Sequence, residues 1–220
     1  MGRLIVFEGI DGSGKSTQFS LACQALEAAG KAFTRLVFPR YQAASSALIR
    51  MYLGGEFGKD PAAVNAYAAS TFYAVDRYAS YVQEWKAVYA RDGLVLTDRY
   101  TTSNAVHQAS KLEGQARRDY FRWLQDFEYD LLGLPAPDLV LYMDVPVEMA
   151  AAQRRLREQR TGTSGDIHES DEIYLQKCAL CAEEAAAFYG WRRIACAPEG
   201  RMRSVEDIHG EIMQILREEV

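Results

Sequence analysis

The stretch LIVFEGIDGSGKST, residues 4 to 17, runs apolar residues into a carboxylate, three glycines and then Lys15, Ser16 and Thr17. Glycines lack a Cβ and so let consecutive backbone N–H groups curl around an anion, while a lysine and a hydroxyl behind them add a positive charge and an oxygen donor. Gly9 to Ser16 satisfy G-x-x-x-x-G-K-[ST], with an apolar strand pattern in front and a helical pattern behind, the context in which this motif cradles the phosphate chain of a nucleotide. Gly9, Gly12, Ser13, Gly14, Lys15, Ser16 and Thr17 are therefore predicted to form the phosphate loop. Lys15 would reach the β and γ phosphates, the Ser16 hydroxyl would ligate Mg²⁺, and the following helix would add its partial positive charge. A plain strand-to-helix turn would need neither the lysine nor the hydroxyl at those offsets.

Switch GTPases, ATP-driven machines and small-molecule kinases all use such loops. The guanine-reading N-K-x-D pattern is absent. A machine usually ends a second apolar strand in Asp then Glu, to hold magnesium and orient water, whereas here LVLTDRY places Arg99 after Asp98. A positive charge at that point suits an anionic acceptor better than hydrolysis. Residues 61 to 91 read as one long helix, with Val64, Tyr67, Ala68, Thr71, Val75, Tyr78 and Val82 as a single apolar stripe. Tyr73 and Arg77 lie one turn apart on roughly the opposite side, beside the small residues Ala66, Ala69 and Ser70. That face is either a groove with a ring to stack on and a guanidinium to hydrogen-bond a flat polar ring, or a solvated face. Four arginines fall within residues 154 to 160, RRLREQR, directly before the linker-like QRTGTSGD of residues 159 to 166. They fit a lid over residues 154 to 169 that excludes water and neutralises charge during transfer.

These groups need a scaffold. Short apolar runs at residues 4–7, 32–38, 94–96, 139–143 and 191–196, bounded by turn signals, read as strands buried on both faces, and helical patterns fill the gaps. Phe19, Ala22, Cys23, Leu26 and Ala29 mark a helix closed by Gly30, and Val205, Ile208, Ile212, Ile215 and Leu216 mark a closing helix capped by Ser204. Alternation of strand and helix predicts an α/β fold, a three-layer sandwich around a parallel sheet of about five strands. With 220 residues, 49% of them apolar, the expectation is one domain over residues 1–220 with the lid inside it. A net charge of −5 without a basic stripe argues against nucleic acid or an anionic membrane as partner, and the absence of a long apolar run predicts a cytoplasmic protein. Cys23, Cys178, Cys181 and Cys196 lack the paired spacing of a zinc site and read as buried free thiols.

Four segments, FEGIDGSGKSTQ, FPRY at 38–41, YAVDR at 73–77 and DRYTTSNAVHQ at 98–108, occur in the order and spacing of thymidylate kinases. The sequence resembles that family over essentially its whole length. The resemblance implies a P-loop NTPase fold that transfers the γ-phosphoryl of ATP to dTMP, with Mg²⁺, as a homodimer packed through helices. It further implies that Tyr73, in place of the usual phenylalanine, stacks on thymine, that Arg77 reads a base carbonyl, and that Asn104 faces the ring nitrogen and the neighbouring oxygen, with Ser103 and Gln108 close by. Phe38 and Tyr41 resemble the wall and phosphate contact, and Arg40 a phosphate partner. Asp98 and Arg99 resemble the pair around the acceptor phosphate and its metal, and Asp11 the carboxylate on the sugar 3′-hydroxyl or the magnesium. Because position 12 is glycine where some members carry arginine, the transition-state arginine is expected from the lid, as Arg160 or Arg154. Ile167 stands where many members have arginine, and His107 and His168 where tyrosine is common. CAPEG, residues 196 to 200, is the positional candidate for adenine contact.

Overall fold

The computed structural model of the chain describes residues 2–161 and 172–219. Five strands, β1 (Arg3–Glu8), β2 (Thr34–Val37), β3 (Leu94–Asp98), β4 (Leu139–Asp144) and β5 (Arg192–Ala195), form one parallel sheet in the order β2-β3-β1-β4-β5. Between them run α1 (Lys15–Ala28), α2 (Ala47–Leu53), α3 (Ala66–Ser80), α4 (Lys86–Tyr89), α5 (Thr101–His107), α6 (Gly114–Gln125), α7 (Val147–Thr161), α8 (Glu172–Tyr189) and α9 (Val205–Glu219).

Strand alternation divides the interior. Ile5 and Phe7 of β1 pack with Phe19, Ala22 and Leu26 of α1 and Ile212 of α9, whereas Leu4 and Val6 pack with Trp85, Tyr89 and Tyr100 on the other face. Central strands β1, β3 and β4 are buried almost throughout, as their apolar runs predict, but β2 and β5 each bury a single residue. Both lie at sheet edges, where one face of the strand meets solvent. α9 follows its predicted stripe, with Asp207 N–H donating to the capping Ser204 Oγ at 3.0 Å. Gly30 closes α1 in a left-handed conformation (φ 66°), although Ala29 of its stripe is exposed.

The helix predicted over residues 61 to 91 departs from expectation twice. It is broken into a tight turn at Pro61–Ala63, α3, a wide π turn at Tyr81–Trp85 and α4, and it starts where Asn65 Oδ1 caps Ala68 N–H at 2.9 Å. It is also turned over. Val75 is 53% exposed and Val82 50%, and Tyr67 and Tyr78 face outward too, while Ala66, Ala69, Ser70, Ala74 and Arg77 are buried. Small side chains let α3 approach α5 closely, and the polar groups on that face find partners, as where Ser70 Oγ meets Ala66 O at 2.7 Å and Tyr120 Oη at 2.5 Å. Among the described residues no helix is long and apolar enough to cross a membrane.

Candidate active site

The carboxyl ends of β1 and β3 bring the phosphate loop beside the Asp98–Arg99 pair, with Phe7 opposite Asp98 in register. Gly9, Gly12 and Gly14 all hold positive φ, and Gly14 in the left-handed region leads directly into α1. A Cβ on Gly12 (φ 92°) would lie 2.0 Å from the Ala150 carbonyl oxygen on α7, so only glycine fits there without moving that helix. A groove of about 430 Å³ runs along Gly12 to Gln18 and is closed by Gln153, Leu156 and Val205. The predicted adenine segment 196–200 does not border it; Ala197 and Pro198 line a neighbouring hollow with Asp144 and Pro146 instead.

Lys15 Nζ donates to Asp98 Oδ1 at 2.8 Å, both groups buried. Burial alone would raise the Asp98 carboxyl, but Lys15 and Arg99, with hydrogen bonds from Lys15 and Ser16, hold it below its ordinary value. Arg99 adopts φ 68°, a left-handed backbone that costs a non-glycine residue about 1–2 kcal/mol, and is tied by its N–H to Phe7 O at 3.0 Å. Its guanidinium bonds the Asp11 carboxylate, reaches Ser103 Oγ at 3.2 Å and lies 3.7 Å from Glu8 Oε1. Burial opposes the Arg99 charge, yet Asp11, Glu8 and Asp98 raise its pKa above the usual arginine value. His107 Nε2 sits 3.1 Å from Arg99 Nη1, which can only donate, so Nε2 accepts and the ring is neutral. Burial first, and then Arg99, lower the His107 pKa to about 4.

Next to these groups a cavity of about 260 Å³ opens between α3 and α5. Asp11, Lys15, Ser16, Asp98 and Arg99 line its phosphate end. Phe38, Tyr41 and Tyr73 supply its aromatic wall, and Ser103, Asn104 and Gln108 of the α5 segment, together with Arg77, its polar end. Ten of the eleven residues expected around the acceptor thus meet in one cleft. Arg40 does not line it; its side chain is bound by Asp76 at 3.1 Å, Glu84 at 2.5 Å and Ser45 at 3.0 Å. Of the two lid arginines, Arg154 is buried and shares a hollow with Asp11 and Ala150 beside the phosphate loop. The Arg160 side chain and the second half of the predicted lid, residues 162–169 with Ile167 and His168, lie outside the described residues.

Three carboxylates were not singled out from the sequence. Glu8, fully buried, accepts from Gly9 N–H at 2.9 Å, Thr102 Oγ1 at 2.7 Å and Ser103 Oγ at 2.6 Å. Asp76 holds the backbone N–H of Arg40 at 2.9 Å. Glu128 grips Arg77 with both oxygens, at 2.7 and 2.5 Å. A charge ending an apolar strand flags Glu8, but DFEYDLLG around Glu128 offers no comparable signal. All four cysteines are buried and free, and among the described residues no cluster of metal-ligating side chains occurs.

A family profile described as thymidylate kinase matches residues 7–212. The chain is 36% identical over 192 residues to a thymidylate kinase of Mycobacterium tuberculosis, covering 86% of this chain and 88% of that one. It is 30% identical over 215 residues to a thymidylate kinase of Nostoc punctiforme, covering 97% and 96%. A solved thymidylate kinase structure from Candida albicans superposes with a TM-score of 0.72 over 99% of this chain and 92% of that one, at 20% identity, a likeness of fold. With the phosphate loop, the strand order and the shared cleft, these similarities establish that the chain belongs to the thymidylate kinase family.

Proposed function

We infer that the protein transfers the γ-phosphoryl group of ATP to the phosphate of dTMP, giving dTDP and ADP. One observation carries this reading: a single cleft joins the phosphate loop, the Asp98–Arg99 pair and a ring-sized pocket walled by Tyr73, Arg77 and Asn104. An acceptor phosphate is already an anionic nucleophile, so its oxygen attacks the γ phosphorus as the bond to the β-bridging oxygen breaks, without a general base. Alignment and charge neutralisation do the rest.

In this reading Lys15 leaves Asp98 for the β and γ oxygens, and Arg99 draws the acceptor phosphate toward them. The Ser16 hydroxyl and Asp98 carboxylate are hard oxygen donors in the same cleft and suit Mg²⁺, which when bound neutralises charge on the phosphate chain. Asp11 takes the sugar 3′-hydroxyl or shares in holding the metal. Tyr73 stacks on the base, Arg77 donates to a ring carbonyl and Asn104 meets the ring N–H. Gln108 Oε1, buried with no partner among the described residues, adds an acceptor near the base. Arg40, occupied by Asp76 and Glu84, braces the Phe38–Tyr41 wall rather than touching the phosphate. Residues 154–169 act as a lid within one domain, and Arg154, buried beside Asp11, supplies the lid's charge to the phosphates.

A second copy of the chain would cover the outward stripe of Tyr67, Val75, Tyr78 and Val82, which supports a homodimer. The net charge of −5 fits a cytoplasmic enzyme working on small molecules rather than on nucleic acid or membranes. The deciding experiment is a panel of nucleoside and nucleoside monophosphate acceptors assayed by ADP release. Preference for dTMP supports the reading, preference for another acceptor transfers it to a different nucleotide kinase, and ATP binding without acceptor-stimulated ADP release points to a non-catalytic module.

A further inference from the structure

We propose that Glu128 sets the hydrogen-bond polarity of the base pocket, and thereby requires an acceptor ring with a carbonyl beside a ring N–H. The proposal rests on the reading of the cleft as a nucleotide acceptor site. Glu128 is fully buried in a wide π turn at Asp126–Leu131, a deviation from regular helix that recurs at functional sites. Its Oε2 accepts from Arg77 Nε at 2.7 Å, and its Oε1 accepts from Arg77 Nη2 at 2.5 Å and from Asn104 Nδ2 at 3.1 Å. One acceptor-only group thus touches both side chains at the polar end of the cavity.

The consequences follow from counting donors. Asn104 Nδ2 also donates to Ser70 O at 3.3 Å, so both amide hydrogens are used inside the protein, and Oδ1, an acceptor, is what the side chain offers a ligand. Arg77 gives Nε–H and an Nη2 hydrogen to Glu128 and an Nη1 hydrogen to Tyr100 O at 3.3 Å; what remains of its planar fork can only donate. Neighbouring Tyr120 and Tyr129 are held neutral, since burial raises both hydroxyls far above the usual tyrosine range, and Glu128 is the carboxylate that orients Arg77 and Asn104. A ring with C=O next to N–H pairs with both groups. Cytosine presents an amino group toward Arg77 and a bare nitrogen toward Asn104 Oδ1, and fails with both. A glutamine at 128 could donate to Asn104 Oδ1, letting that amide reverse and relaxing the code.

The test measures kcat/KM for dTMP and for dCMP in wild type, E128Q and E128D, with melting temperatures alongside. Wild type should favour dTMP by roughly 100-fold or more, and E128Q should shrink that ratio at least about tenfold, whatever its effect on overall activity. Should E128Q fail to fold, E128D keeps the charge while its shorter reach loosens the joint grip, and the ratio should still fall severalfold. A purely structural role would depress both substrates equally, and an unchanged ratio in the folded variants overturns the proposal. A further arm needs no variant: dTMP methylated at the ring nitrogen should be as poor an acceptor for wild type as dCMP, and turnover close to that of dTMP overturns the assigned polarity. Wild type that does not phosphorylate dTMP at all overturns the functional reading itself, and this proposal falls with it.

Discussion

Gly12→Ala tests how tightly the phosphate loop is seated under α7. The new methyl would stand 2.0 Å from Ala150 O and 2.8 Å from Ala150 C, both backbone atoms that cannot rotate away. Non-bonded heavy atoms settle at roughly 3.5 Å, so the first turn of α7 would have to retreat by about 1.5 Å. An alanine at φ 92° adds left-handed strain. Strain of about 1 kcal/mol and overpacking of about 1–3 kcal/mol together predict a loss of about 2–4 kcal/mol. For a chain of this size that corresponds to a fall in Tm of about 5–15 °C. Arg154 lies one turn beyond Ala150 on the same helix, and if it aligns with the phosphates as proposed, a displacement of that order should reduce kcat about 100-fold. Gly30→Ala is the control: its φ is also positive, at 66°, but nothing lies within 4 Å of its Cβ, so it should lose about 1 kcal/mol and keep its kcat. Calorimetry and a coupled ADP-release assay read both quantities. A Gly12→Ala protein within 2-fold of wild-type kcat, melting no lower than Gly30→Ala, would refute the reasoning.

Lys15→Ala should nearly abolish turnover in the ADP-release assay while circular dichroism shows a retained fold, because Arg99 remains beside the buried Asp98 carboxylate as its counter-charge. Arg77→Ala should raise the KM for dTMP by about 10–100-fold and leave the KM for ATP almost unchanged, since it removes a buried donor from the polar end of the cavity and takes the guanidinium from Glu128. His107, with a pKa near 4 folded against about 6.5 unfolded, binds fewer protons when folded, so it supports stability above about pH 6.5 and that support drains away as pH falls toward 4; the pair of values is worth roughly 3 kcal/mol, read by melting against pH in wild type and His107→Gln. Cys23, Cys178, Cys181 and Cys196 are buried, and burial raises each thiol above its ordinary value, so a chromogenic disulfide reagent should label the folded protein slowly and all four sites after denaturation.

The phosphate loop, the strand–helix alternation and the Asp98–Arg99 pair were legible in the sequence because each is local. Glycine placement, a strand before and a helix after need only neighbouring residues to be recognised. The segments around Phe38, Tyr73 and Asn104 were legible as a set, and the fold brings them to one cavity. The long helix exposes the limit of such reading. Its periodicity is real, but periodicity measures contrast between two faces, and here the apolar side of α3 is the outer one. Polar side chains went inward because partners distant in sequence awaited them: Tyr120 for Ser70, and Glu128 for Arg77.

By itself the sequence determined what could be specified within a few turns of chain: a nucleotide-phosphate loop, a parallel α/β order and the Asp98–Arg99 pair that ends the third strand. Only the tertiary structure decided which face of α3 looks inward, that Arg40 is spent on Asp76, that Gly12 is pressed against α7, and that Glu128 reaches back to hold Arg77 and Asn104. The reason is physical. A buried charge is stable only where its counter-charge and hydrogen-bond partners converge, and that convergence depends on distances between elements that no local pattern of residues encodes.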